Sequence, residues 1–521
     1  MRDFLGFVMC GLVAATGASA QEAPRPIDVK APANPQPPIT DAARAAAAKA
    51  KATAMIERAA AWMLAGQHES GGFGIYEGAP VFPAVTGLAV MGLMDENRPA
   101  NSPAMQKAAD FVLSKQQADG AIYDRILPSY NTAICVSMLS KYPDPRCRDA
   151  MKKGAEYLKG LQYGEGAVER ASLGDESPKP VEASHPYYGG IGYGKHGRPD
   201  LSNTAFWIEA LKDAGVERDD PAFARAVVFL QRVQQLESAG GKPVNDMPYA
   251  RGSSQGGFIY ATSVNKEAVG VGQSFGGEIA ESLSGPPGAA AVVRFKAKGA
   301  DGKPVLLAKE AITKRLKSHI ENSQTAAIRA IGDDLQVLMG AGESSGASSC
   351  EIRVKCEDPG AVAGALREVF KAEIDADSAV AAEPAIHWRA QSRLRSYGSM
   401  SYAGFKSYLY AGLTKDDPRV VAAREWIGAN YTVAENPGVG TDGLYYYYVM
   451  FAKALHADGR PTVTTPNGPR DWRVDLIDRL AELQNPDGSF RPVDDRWMEN
   501  DPLLITAYSL TALQAARASL K

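Results

Sequence analysis

The sequence predicts an all-α fold, an (α/α)6 toroid of about six helical hairpins carrying a ferredoxin-like α+β insert. Three observations lead there. A polar cap followed by an apolar helix recurs, as in DLSNTAFWIEAL, SYNTAICVSML, AVTGLAVMGL and ITAYSLTALQ. A Gly-rich turn with aromatic residues precedes each such helix: QHESGGFGIY, QQADGAIYD, YYGGIGYG, QGGFIY, NPGVGTDG and LQNPDGSF stand in succession. Helical periodicity then gives way to strand-like alternation between residues 285 and 385.

Taken in chain order, residues 1–20 read as a secretory signal peptide. Arg2 precedes the apolar run Phe4 to Ala15, which is too short to cross a bilayer, and Ala18-Ser19-Ala20 has the small-x-small pattern of a cleavage site. The mature chain is expected to begin near Gln21, to be exported to the periplasm or beyond the cell, and to keep no transmembrane segment. Phe7-Val8-Met9 ahead of Cys10 does not suit a lipid-anchor site. Residues 21–40 are Pro-rich and read as an extended tether. The toroid is expected over 41–284 and 386–521, interrupted by the insert at 285–385.

Within the hairpins, stretches such as AADFVLSKQQ, ARAVVFLQRVQQ and VDLIDRLAELQ place apolar residues at helical spacing and charge on the opposite face, so they should meet solvent. TAFWIEAL, with few charges and small residues among large ones, suits burial between neighbours. The first and last hairpins look like the middle ones, whereas an open solenoid needs polar end caps, so the array is expected to close around a central cavity. In the insert, AVVRFKAK, TAAIRAIGDDLQVLMG and SSCEIRVKC read as strands, and AKEAITKRLKSHI and DPGAVAGALREVFKAEI as helices. The insert is either a tolerated loop insertion or a lid or docking module for a protein partner.

The 521 residues are 45% hydrophobic and 22% charged, with a net charge of −3 spread along the chain; no nucleic-acid partner is expected. Of the five cysteines, Cys350 and Cys356 would stand about 20 Å apart on a strand and cannot bridge. Cys135 and Cys147 could pair or remain buried thiols. No Cys/His spacing resembles a zinc cage, and neither metal nor cofactor is expected.

In a closed ring of antiparallel hairpins the inner helices run parallel, so residues that open them share one face. Asp200, Tyr397, Tyr402, Asp442 and Asp501 are therefore expected to converge, with Tyr445, Tyr446, Tyr447 and Tyr448 in the wall. Tyr187, Tyr188 and Tyr193, bracketed by His185 and His196, and Trp497 complete an aromatic inventory at the expected cavity mouth. Aromatic faces stabilise cations by about 0.5 to 2 kcal/mol each and also simply fill space between helices. Asp200, Glu499 and Asp501 are the candidate catalytic carboxylates. Asp200 with Ser202 and Asn203 also reads as a helix N-cap cluster.

LAELQNPDGSF resembles the QW repeat of the squalene-hopene cyclase and prenyltransferase α/α-toroid superfamily. DLSNTAFWIEAL, LRSYGSMSYAGFKSYLYAGL, NPGVGTDGLYYYYVMFAKAL and DRWMENDPLLITAYSLTAL resemble a secreted bacterial branch, the prenyltransferase/squalene oxidase repeat proteins. The resemblance covers roughly residues 50–265 and 392–515. It implies a terpenoid cyclase-like fold and places the family's acidic DxDDTA motif on residues 200–205. There Asp200 fits the first acid, while Ser202 and Asn203 stand in place of the next two. Serine cannot protonate an alkene, so substrate protonation by the family mechanism is not expected. Three readings stay open: a terpenoid cyclase-like protein taking an apolar, isoprenoid-like ligand with its acid displaced; a non-catalytic binding or scaffold protein; and a polysaccharide lyase or hydrolase.

Overall fold

The computed structural model describes residues 42–75, 80–167, 178, 180–194, 198–247, 250, 253–262, 288–297, 309–322, 335–339, 349–355, 374–375, 383–386 and 396–520. The chain divides into two compact units, Met1–Asn245 with Gln255–Val264 and Ser396–Lys521, and Asp246–Ser254 with Asn265–Arg395.

The described part of the first unit is dominated by helices, alternating between two kinds: α1 (Ala42–Ala65), α2 (Pro83–Leu93), α3 (Pro103–Leu113), α4 (Pro128–Leu139), α5 (Pro145–Gly160), α6 (Leu201–Asp213) and α7 (Pro221–Val233). After the second unit's α8 (Lys309–Asn322) come α9 (Gly398–Tyr410), α10 (Pro418–Ala429), α11 (Leu444–Asp458), α12 (Trp472–Leu483) and α13 (Pro502–Ser519). Local chemistry sets many of the starts. Asp144, Asp220, Asp417 and Asp501 each cap a helix by accepting a backbone N–H, with proline at the next position, where its missing donor and fixed φ cost nothing.

Burial separates the two kinds. Every residue of α4 is buried, as are residues 398–408 of α9, whereas α3, α5 and α7 bury one face. The buried helices pack in a closed circuit: α2 on α4, α4 on α6, α6 on α9, α9 on α11, α11 on α13, and α13 back on α2.

One device, repeated, holds the hairpins in register. Gln67, Gln116, Gln162, Gln234 and Gln484 follow α1, α3, α5, α7 and α12. Each donates from Nε2 to the carbonyl of a nearby turn glycine (Gly71, Gly120, Gly189, Gly256, Gly488) and to a carbonyl of another outer helix (Ala104, Ala150, Ala222, Arg419, Met55). The Gln484–Met55 bond joins the last outer helix to the first. Two residues beyond each glycine, the N–H of Phe73, Ile122, Ile191, Phe258 or Phe490 donates to Thr86, Thr132, Thr204, Ser401 or Thr506 on a buried helix. The repeated glutamine, glycine and hydroxyl are thus three parts of one junction. Between α10 and α12 a different link serves, Tyr431 Oη donating to Asp475 at 2.7 Å.

The junction glycines have positive φ, and a Cβ on Gly189 would strike the Arg225 carbonyl. Gly189→Ala is therefore expected to cost at least about 2 kcal/mol, from left-handed strain plus displacement of α7. Urea denaturation checks this, and a loss below about 0.5 kcal/mol would contradict the junction's role.

In the second unit, β1 (Gly288–Ala297), β2 (Leu335–Met339), β3 (Ser349–Lys355) and β4 (Ile374–Asp375) form an antiparallel sheet in the order β2-β3-β1-β4, and β5 (Glu383–Ile386) also pairs with β1. The helix expected over 358–374 lies outside the described residues except for Ile374, which is in β4; the first part of the strand expected over 325–340 lies outside them too, as do the signal peptide and tether. Cys135 and Cys147 are both free buried thiols. Among the described residues no helix is long and apolar enough to cross a membrane, and no cluster of metal-ligating side chains occurs.

Candidate functional site

Asp200 caps α6. Its Oδ1 accepts the Asn203 N–H and its Oδ2 the Asn203 Nδ2–H, both at 2.8 Å. The carboxyl is only 2% exposed, and burial pushes it up to about 6, against the opposing pull of the Asn203 bonds, the Arg198 charge and a hydrogen bond with Tyr260.

Around it stand tyrosines from several elements. Tyr260 shares a 3.2 Å hydroxyl contact with Tyr193, and Tyr397 occupies the N-cap of α9. Ser202 Oγ and Tyr446 Oη are 2.9 Å apart. Tyr130 of α4 meets Phe206 edge-on at 5.2 Å and lies 6.2 Å from Tyr193, while Tyr446 lies 6.2 Å from Tyr508 of α13. Burial lifts the hydroxyls of Tyr130, Tyr260, Tyr397, Tyr446 and Tyr508 well above the ordinary phenol value, so all are neutral donors and acceptors at neutral pH.

Two of these contacts fix where the side chains point. Ser202 and Phe206 of α6 reach Tyr446 of α11, although α9 stands between those helices in the circuit, and Tyr130 of α4 and Tyr508 of α13 lie near enough for each hydroxyl to shift the other's pKa although α2 stands between them. Contacts between helices that are not neighbours must cross the interior. Ser202, Tyr260 and Tyr446 also keep partial solvent contact.

Further along the same helices lies a charge triad. Glu209 of α6 accepts from Lys406 of α9 at 2.5 Å and from Lys453 of α11 at 2.6 Å, one lysine on each oxygen. Burial opposes ionisation of Glu209, but the two ammonium charges more than offset it and hold the carboxyl below its ordinary range. Lys406 is fully buried; desolvation lowers its pKa, with Glu209 acting in the opposite direction.

The other candidates are placed elsewhere or committed to other partners. Tyr445, Tyr447 and Tyr448 donate their hydroxyls to the carbonyls of Arg491, Thr432 and Val433, so of that run Tyr446 alone joins the Asp200 cluster. Tyr402 packs among Tyr447 and Phe451. Glu499 accepts the N–H groups of Tyr445 and Tyr446 at 2.9 and 2.8 Å, acting as a cap for α11; burial raises it to about 8, those N–H bonds notwithstanding. Asp501 accepts from the N–H groups of Leu503 and Leu504. Asp442 pairs with Arg496 at 3.0 Å, and Arg496 lies over Trp497, which packs against Gly443. His185, Tyr187 and Tyr188 belong to a separate group: Tyr187 stacks edge-on with Tyr163 and His185, the Arg232 guanidinium donates to the His185 carbonyl, and Tyr188 donates to Glu165. Burial, followed by the Arg232 charge, lowers the His185 pKa. His196 lies outside the described residues.

Sequence reasoning passed over Tyr130, Tyr260, Tyr508, Glu209, Lys406 and Lys453. The triad did leave a signal: within the apolar stretches TAFWIEAL, YAGFKSYL and YVMFAKAL, Glu209, Lys406 and Lys453 are each the one charge.

No protein-family model and no curated protein matches the sequence. Among solved structures, the chain is similar to a variant of a type II terpene cyclase from Scytonema in complex with its substrate, geranylgeranyl dihydroxybenzoate, at 11% identity and a TM-score of 0.27, over 91% of this chain and 99% of that one. A likeness of this degree carries no inference about the chemistry.

Proposed function

We propose that the first unit is an (α/α)6 toroid that binds an apolar, isoprenoid-like ligand at its tyrosine-lined end, without protonating it. The observation that supports this reading is the set of tyrosines from α4, α11, α13, the α9 cap and the loop positions 193 and 260 that meet around Asp200 across the interior. Hydroxyls that satisfy one another leave ring faces for apolar contact, at about 0.5 to 1.5 kcal/mol per aromatic pair beyond area burial. A carboxyl at about 6, with both oxygens accepting hydrogen bonds, is too weak an acid for an alkene. Titration with farnesol, followed by intrinsic fluorescence, tests binding. Tyr446→Ala is expected to weaken it about tenfold, and equal affinity in both proteins would count against the site. Squalene is expected to give no hopene; hopene that disappears in Asp200→Asn would instead make Asp200 the acid.

The glycan-cleaving reading needs a pair of free carboxylates facing a substrate. Glu499 and Asp501 are spent on helix N–H groups, which argues against it. The second unit is proposed to be a ferredoxin-like module, supported by its β2-β3-β1-β4 antiparallel order. The chain is proposed to be exported, on the Arg2 to Ala20 pattern. Intact-mass measurement of protein from the native host should find Met1 to Ala20 removed, and their retention would defeat the proposal.

A further inference from the structure

We propose that the interior of the helix circuit carries a second site, built on Glu209, Lys406 and Lys453, that takes an anionic phosphate or carboxylate group. The charges of the triad are unbalanced. One carboxylate faces two ammonium groups, with Lys406 fully buried and the Lys453 side chain 14% exposed. The neighbouring charges do not close the balance. Asp213 pairs with Lys212 at 3.1 Å, and Lys212 and Lys406 both lie over the Tyr410 ring, at 4.7 and 5.5 Å. The Lys212 side chain is 45% exposed and meets water, so within the triad two ammonium groups share one carboxylate, and the excess positive charge falls on Lys453, the less buried of the two lysines.

The negative ends of the helix dipoles do not supply the missing charge. Glu209, Lys406 and Lys453 each lie four or five residues before the last residues of their helices, Asp213, Tyr410 and Asp458. Helical side chains tilt toward the N-terminus, away from those ends, and the dipole's influence fades within the last turn. The open side of the triad belongs to Lys453. It stands seven residues beyond Tyr446 on α11, two turns along the same face and about 10 Å farther into the circuit. An anion there would gain a charge-assisted bond to an ammonium already held in place by Glu209. The anion is either free in solution or the head of the ligand whose apolar part lies among the tyrosines; this second source rests on the function proposed above.

The test uses the full mature chain and inorganic phosphate, farnesyl phosphate and farnesol as probes. Phosphate is expected to raise the melting temperature saturably in the wild type. The effect should persist in Lys453→Arg and be lost in Lys453→Gln, which leaves Glu209 and Lys406 as a neutral buried pair and so should fold. Farnesyl phosphate binding about tenfold tighter than farnesol, with the difference erased in Lys453→Gln, identifies the head-group source. Equal affinity of the two, with phosphate still stabilising, identifies a free anion. If farnesol and farnesyl phosphate both fail to bind while phosphate stabilises through Lys453, the anion site stands and the isoprenoid reading falls. No stabilisation of the wild type by phosphate, or the same stabilisation in Lys453→Gln, would overturn the proposal.

Discussion

Replacing Glu209 with glutamine is expected to cost about 3–5 kcal/mol of folding stability, because it strands Lys406 in the interior without the carboxylate that pairs with it. The loss comes from the uncompensated ion and not from the attraction removed. A second change should therefore restore most of it: Lys406→Met in the same chain removes the stranded charge, and Lys453 can turn its ammonium toward water along its flexible stem. Urea denaturation of the single and double variants decides the matter. A cost below about 1 kcal/mol for Glu209→Gln, or no recovery in the double variant, would show that the triad is solvated.

Stability is also expected to fall as pH rises from about 5 to 8, with Glu499 the main cause. Its folded-state pKa, about 8, lies above the ordinary 4.5 that it regains on unfolding. Between those values the native state holds a proton that the unfolded chain has released, so stability is full below 4.5 and is lost as pH climbs toward 8. Each pH step of one between the two values removes about 1.4 kcal/mol, so the whole loss is at most about 5 kcal/mol. Asp200, raised from 3.8 to about 6, acts with the same sign over a narrower and more acidic window. Glu499→Gln cannot ionise and should flatten most of the slope, and an unchanged profile in that variant would contradict the assignment.

The helical architecture was legible because most hairpins repeat a pattern that physics makes local: an apolar helix, a turn glycine forced to positive φ, and a hydroxyl waiting for an N–H. The candidate site was less so. The Tyr445 to Tyr448 run read as one wall, yet successive helical residues turn by about 100°, and the hydroxyls of Tyr445, Tyr447 and Tyr448 end on loop carbonyls. Glu499 and Asp501 read as candidate acids because sequence cannot distinguish a carboxylate facing a ligand from one that caps a helix. The triad was missed for the opposite reason. Glu209 lies 197 residues from Lys406 and 244 from Lys453, and a lone charge in an apolar helix gives no sign of a partner so distant. Tyr260 escaped notice because it belongs to no helix; only the fold brings it beside Asp200.

The central claim is that the tyrosine-lined end of the circuit is a binding site for an apolar ligand. Mass spectrometry of an organic extract of the purified full chain tests it most directly, with Ser202→Trp as the comparison, since an indole at Ser202 would fill the space beside Tyr446. An apolar ligand near one equivalent is expected in the wild type, and its loss in Ser202→Trp at unchanged helix content. Equal retention by both proteins, or no ligand in either together with no binding of added farnesol, would contradict it.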